Sequence, residues 1–140
     1  MHVPEPVTGT VLVVDRNERL PKQRAIFEDA GFAVIVAASA AEGLKVARDQ
    51  HPDIIVSEVM LEKPDAGFVF GYELKKDAAL TDIPLVLLSS IFQSTGKVID
   101  MSSPEARRWI KADAYIERPV TADHLLARVC SLLNCPHALA

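Results

Sequence analysis

The stretch His51-Pro52-Asp53-Ile54-Ile55-Val56-Ser57-Glu58-Val59-Met60-Leu61 decides the fold. Its centre is a short apolar run rich in β-branched residues, without the polar alternation of a half-exposed strand. That is the pattern of a strand covered on both faces. The run closes on a carboxylate, Glu58, at the point where a buried strand must give way to a loop.

Comparable runs flank it. Thr10 to Val14, Phe32 to Val36, Leu85 to Leu88 and Ala114 to Ile116 join Asp53 to Ser57 as five expected strands. The segments between them carry helix punctuation. Ser39-Ala40-Ala41-Glu42 reads as a capping box, Ser103-Pro104 as a cap followed by proline in the first turn, and Thr121 as the cap of a last helix. In that last helix Leu125, Leu126, Val129, Leu132 and Leu133 recur at helical spacing, which predicts one stripe packed on a sheet. Gly31 is placed to stop the first helix. Strands alternating with helices predict an α/β doubly wound sandwich of (βα)5 type around a parallel five-stranded sheet. Residues 10–135 are expected to form one domain, with a loose segment at 1–9 and a tail at 136–140.

Bulk properties narrow the function. At 140 residues the chain suits a single domain with a real core, and 49% apolar with 24% charged residues is ordinary for a soluble globular protein. The net charge of −4 and the lack of a Lys/Arg block give no electrostatic support to binding nucleic acid or an anionic membrane. With no apolar run of spanning length and no signal-peptide pattern at the start, a cytoplasmic location is expected. Cys130 and Cys135 have no Cys or His partners at ligand spacing and do not form Cys-x-x-Cys, so they are read as structurally incidental.

Four stretches taken together carry a family resemblance: Val11-Leu12-Val13-Val14-Asp15, the segment ending in Glu58, Ile83-Pro84-Leu85-Val86-Leu87-Leu88-Ser89-Ser90, and Asp113-Ala114-Tyr115-Ile116-Glu117-Arg118-Pro119-Val120. In this order and spacing they resemble the receiver domain of bacterial two-component response regulators, from about Thr10 to Asn134. The resemblance implies a flavodoxin-like sheet of order 2-1-3-4-5. It also implies a site at the carboxyl ends of the strands, where Asp15, Arg16, Glu58, Ser89 and Arg118 would face one another.

In receivers that site holds two adjacent acids, a phosphoacceptor aspartate, a Ser or Thr, and a lysine before a proline. The acids hold magnesium, which needs oxygen ligands and neutralises the transferring phosphoryl group. The lysine supplies a point cation to the bound phosphate. Only Asp15 and Ser89 match unchanged. Arg16 stands for the second acid, Glu58 for the phosphoacceptor and Arg118 for the lysine. Two carboxylates are then balanced by two tethered cations, which compete with a metal, so magnesium binding is expected to be weak or absent, with Asp15 and Glu58 as its only ligands if any. No cofactor and no enzymatic activity are expected. A strand-end site open to water would make loss of the Glu58 charge cost only about 1 kcal/mol.

The resemblance also implies a switch pair, Ser89 and Tyr115, in which the aromatic residue moves into space left by the hydroxyl residue. It implies a cis peptide bond before Pro119. Two loops depart from the pattern. Residues 91–103 are several residues longer than usual, so that the fourth helix starts only at Ser103-Pro104, and residues 62–68 are about one residue longer. Trp109 falls on or beside the face formed by the fourth helix, fifth strand and fifth helix, or else plugs the core.

The function expected is a phosphorylation-independent pseudo-receiver of two-component, phosphorelay type. It would act through protein partners on that face, a histidine kinase or a separate output protein, as a monomer or weak homodimer. Two alternatives stand: a working receiver phosphorylated by a histidine kinase at Glu58 or another residue, and a flavodoxin-like cofactor-binding enzyme. The last is disfavoured because Asp15-Arg16-Asn17-Glu18 puts acids and long side chains where a flavin phosphate needs small residues and free N–H groups.

Overall fold

Five strands form one parallel sheet in the order β2-β1-β3-β4-β5 in a computed structural model that describes residues 9–134. The strands are β1 (Thr10–Val14), β2 (Ala33–Ala37), β3 (Ile54–Glu58), β4 (Leu85–Ser89) and β5 (Ala114–Glu117). The helices are α1 (Leu20–Asp29), α2 (Ala40–Gln50), α3 (Ala66–Lys76), α4 (Ile91–Thr95), α5 (Pro104–Trp109) and α6 (Ala122–Leu133). This is the expected flavodoxin-like topology. Cys135 and nearly all of the segments at 1–9 and 136–140 lie outside the described residues, whereas Cys130 is buried on α6.

Side chains alternate across the sheet and build two cores. On one face Val11, Val13, Ile54, Val56, Val86 and Leu88 pack against Phe27 of α1 and against Leu125 and Val129 of α6. On the other, Leu12, Val14, Ile55, Leu85 and Leu87 pack against Ala47 of α2, Phe70 and Leu74 of α3, and Ile110 just after α5. All five residues of β3 are buried, as its unbroken apolar run requires. Phe70 has no exposed surface, and its truncation to alanine would cost about 3–5 kcal/mol.

The punctuation acts as the sequence predicts, with one change. Ser39, Ser103 and Thr121 accept hydrogen bonds from the N–H groups of Glu42, Ala106 and His124. The change is at α2: no bond from the Ser39 N–H to the Glu42 carboxylate closes the capping box among the described residues, and the free N–H groups of Ala40 and Ala41 are met by the Glu62 carboxylate from the long β3–α3 loop. Gly31, at φ 99°, makes the left-handed turn between α1 and β2. The expected loop at 91–103 is partly helical: α4 occupies its first turn, ends at Gly96, and is followed by α5 from Pro104. Trp109 is not a core plug. It is 45% exposed and lies against Tyr72 of α3 with ring centroids 6.5 Å apart, on the flank made by α3 and α5. No helix among the described residues is long and apolar enough to cross a membrane.

Candidate functional site

The sheet ladder continues one step past the strands and fixes the loops that carry the site. Asp15 N–H donates to Ala37 O, Val59 N–H to Leu88 O, and Arg118 N–H to Ser89 O. These bonds hold the carboxyl ends of the strands in register, so that Asp15, Glu58, Ser90 and Arg118 meet below one surface.

Glu58 is the centre, and its side chain has no exposed surface. Oε1 accepts from Arg19 Nη1 at 2.7 Å, Ser90 Oγ at 2.8 Å and Arg118 Nε at 3.1 Å. Oε2 accepts from the backbone N–H groups of Val59 at 2.7 Å, Met60 at 3.0 Å and Ser90 at 3.2 Å. A carboxylate offers about four lone-pair positions, so this one is saturated by protein donors. Arg118 forks between the two acids, since its Nη2 donates to Asp15 Oδ2 at 2.9 Å. Asp15 Oδ1 accepts from the Arg16 N–H at 2.7 Å. Burial pushes the Asp15 carboxyl above its ordinary value of 3.8, against the Arg118 guanidinium and the Arg16 N–H, and the neighbouring Glu58 charge adds to the rise.

Arg16 does not join this cluster. Its side chain is about half exposed and its Nε lies 3.7 Å from Glu18 on the surface. The reason is geometric. Asp15 faces inward, its immediate neighbour faces out, and a turn from Arg16 to Arg19 brings the residue four positions on back to the inner side. Arg19, just before α1, therefore takes the place expected for Arg16, 3.7 Å from Asp15 and bonded to Glu58. The charge balance is unchanged, with two acids and two guanidinium groups.

A second correction concerns the two serines. Ser90, not Ser89, donates to Glu58. Ser89, the last residue of β4, is buried, and its Oγ accepts from the Ile91 N–H at the start of α4. Ser90, in the turn that follows, contributes both its hydroxyl and its N–H to the carboxylate. The i,i+4 spacing of Asp15 and Arg19 signals one of the two missed residues. Nothing in the sequence distinguishes the adjacent serines.

Tyr115 is half-buried and stacks on Phe68, with centroids 6.3 Å apart and an interplanar angle of 17°. Its hydroxyl donates to Glu117 Oε2 at 3.1 Å, while Glu117 Oε1 accepts from the Phe92 N–H at 2.7 Å. Glu117 thus ties the tyrosine to the β4–α4 turn, a role without a sequence signal. Burial is the main cause that lifts the Tyr115 hydroxyl to about 12; Ser89 pulls it down and the Glu117 charge pushes it up. The Arg118–Pro119 peptide bond is cis.

The donor set does not fit magnesium. Every oxygen of Asp15 and Glu58 already accepts from a protein N–H or hydroxyl, and two guanidinium groups occupy the space beside them. No group of three or more His, Cys, Asp or Glu able to hold a metal occurs among the described residues.

No family model matches the chain. It is 31% identical over 125 residues to the DNA-binding dual master transcriptional regulator RpaA of Synechocystis, covering 89% of this chain and 48% of that protein. It is 29% identical over 130 residues to the polar-differentiation response regulator DivK of Brucella ovis, covering 91% of this chain and 98% of that one. The chain spans about half or less of the length of the transcriptional regulators it matches. Among solved structures, the signal receiver domain of a signal transduction histidine kinase from Syntrophus aciditrophicus superposes with a TM-score of 0.75 at 24% identity, covering 90% of each chain. With five parallel strands in the order 2-1-3-4-5 and these likenesses, the chain has the receiver-domain fold of response regulators, carrying Glu58 at the end of β3.

Proposed function

We propose that this chain is a receiver-type signalling module that works without phosphorylation, in which the buried Glu58 carboxylate stands permanently in place of an acquired phosphoryl group. The observation that carries this reading is the saturation of Glu58 by six donors from four segments: the residue before α1, the β3–α3 loop, the β4–α4 turn and the end of β5. A phosphorylated receiver needs a cation and a hydroxyl around new negative charge. Here Arg19, Arg118 and Ser90 supply those interactions to a charge the sequence already encodes.

The same saturation opposes phosphoryl transfer to Glu58. An attacking oxygen needs a free lone pair aligned with the phosphorus and a metal to neutralise the donor. Neither oxygen is open to solvent, and the cations that stand against the carboxylate are the tethered guanidinium groups of Arg19 and Arg118. The output of such a module is a surface. The short α4, α5, β5 and α6 together correspond to the face that receivers present to kinases and output proteins, and Tyr115 is tied into it through Glu117.

The test is exposure of the purified protein to acetyl phosphate with magnesium, followed by intact-mass spectrometry. No stoichiometric adduct is expected. An adduct of one phosphoryl group, located on any residue by fragmentation, would replace this reading with that of a working receiver.

A further inference from the structure

We propose that the exposed face of α3 is a self-docking surface, on which a second copy of this chain packs antiparallel about a two-fold axis. The proposal stands whatever sets the state of Glu58. Asp65, Val69, Tyr72 and Lys76 follow one another at steps of four, three and four residues, which places them in one stripe along the helix and its cap. All four are exposed. The opposite side, with Ala66, Phe70, Gly71 and Leu74, is buried, so the core does not call for apolar residues at 69 and 72. Trp109 of α5 lies against Tyr72 and widens the stripe; Val69, Tyr72 and Trp109 are 41%, 44% and 45% exposed.

Two observations select a second copy as the occupant. The first is the order of the stripe, which runs from an acid through an aliphatic and an aromatic residue to a base. The midpoint of Asp65 and Lys76 is also the midpoint of Val69 and Tyr72. A two-fold axis through that point pairs Asp65 with Lys76 of the second copy at both ends, and Val69 with its Tyr72 between them. That is the self-complementarity an isologous contact requires. The second is the balance of charge. Around the start of α3, Glu62 and Asp65 outweigh Lys63 by one. Around its end, Lys75 is paired with Asp113, Lys76 with Glu73 and Asp77 with Arg48, while Lys111 forms no ion pair among the described residues.

The two ends thus differ in sign, so they attract in an antiparallel pair and repel in a parallel one. A uniformly acidic or basic partner would match one end only. Each end also offers a hollow, of about 350 Å³ beside Glu62, Asp65 and Val69 and of about 270 Å³ among Tyr72, Lys75, Lys76 and Lys111. Stripe and Trp109 together present five side chains from each copy. That is far fewer than the about 20–30 residues of a standard interface, so the dimer is weak, with a Kd on the order of 100 µM.

Sedimentation equilibrium of the full chain from about 10 µM to about 1 mM, a range that brackets this constant, tests the assignment. The parent should pass from monomer to dimer. Asp65→Lys and Lys76→Asp should each weaken association about 10-fold, because each sets like charges against one another at both ends. The Asp65 side chain makes no capping bond, so its reversal leaves the helix start without a lost hydrogen bond. An equimolar mixture of the two variants should recover the parent's affinity, since each end of the mixed pair then holds one acid and one base. Loss of folding cannot produce that recovery. Val69→Lys should stay monomeric throughout. A parent that is monomeric at the top of the range, assembly beyond the dimer, a dimer that any of these variants leaves unweakened, or a mixture that associates no better than its components would overturn the proposal.

Discussion

At the scale of single residues, the extra methylene of Glu58 relative to an aspartate lets the carboxylate reach Arg19, Ser90 and Arg118 at once. Full burial changes the energetic expectation. A wet strand-end site would give a cost near 1 kcal/mol for Glu58→Gln. Removing one partner from a buried ionic cluster leaves two guanidinium groups with Asp15 as their only local acid, and typically costs several kcal/mol. Urea unfolding of Glu58→Gln should therefore show a loss on the order of 3 kcal/mol, and a loss under about 1 kcal/mol would mean that the cluster is solvated. The two nearby arginines separate cleanly. Arg16→Ala should lie within about 0.5 kcal/mol of the parent, while Arg19→Ala should lose ~2 kcal/mol through its charged hydrogen bond to Glu58. Equal effects in the same unfolding assay would contradict the assignment of Arg19 to the site.

Asp15 adds a pH signature with a definite sign. Its pKa is raised by burial, so the folded protein holds this proton more tightly than the unfolded chain does. The Asp15 contribution to stability is therefore greatest below the ordinary value of 3.8, falls as pH climbs from there through the raised value, and is flat above it. Comparing unfolding free energies with Asp15→Asn across that interval isolates the effect. A contribution that rises with pH would show that the arginines, not burial, dominate this carboxyl.

At the scale of elements, the start of α3 is pressed against the end of β3. The Gly67 N–H donates to Val59 O at 2.8 Å, and a Cβ at Gly67 would lie 2.4 Å from Glu58 O and 2.5 Å from Val59 Cα. Both obstacles are backbone, so Gly67→Ala must displace the β3–α3 loop whose N–H groups hold Glu58. The expected loss is about 3 kcal/mol by urea unfolding, with amide signals moving at Val59, Met60 and Ser90. A variant as stable as the parent would show that the loop yields freely. Element scale is also where the sequence is most legible. The five strands are readable because sheets buried on both faces leave continuous β-branched runs, and Ser39, Ser103 and Thr121 announce their helices. Boundaries differ by a residue, as at β2, because Phe32 belongs to the core without belonging to the ladder. The short α4 escapes notice because Gln93, Ser94 and Thr95 have no apolar period and only Gly96 marks its end.

At the scale of the whole molecule, the fold brings together residues distant in sequence, and this limits how much of the site can be read in advance. Asp15, Glu58 and Arg118 are legible, since a parallel sheet collects the carboxyl ends of its strands at one edge. Arg19 and Ser90 are not, because they lie in turns whose direction depends on how α1 and α4 leave the sheet. The molecule that results has its charged centre sealed and saturated, while Tyr115 and Glu117 tie β5 to the first turn of α4 beside it. On the reading proposed above, its state is set by Glu58 and not by an added phosphate. The most direct measurement records amide spectra of the parent before and after acetyl phosphate with magnesium, alongside Glu58→Gln. Signals from residues 89–92 and 115–118 should stay in place in the treated parent and move in Glu58→Gln. A treated parent whose signals in those two segments move as a phosphoryl group is acquired, with Glu58→Gln unchanged, would contradict the account.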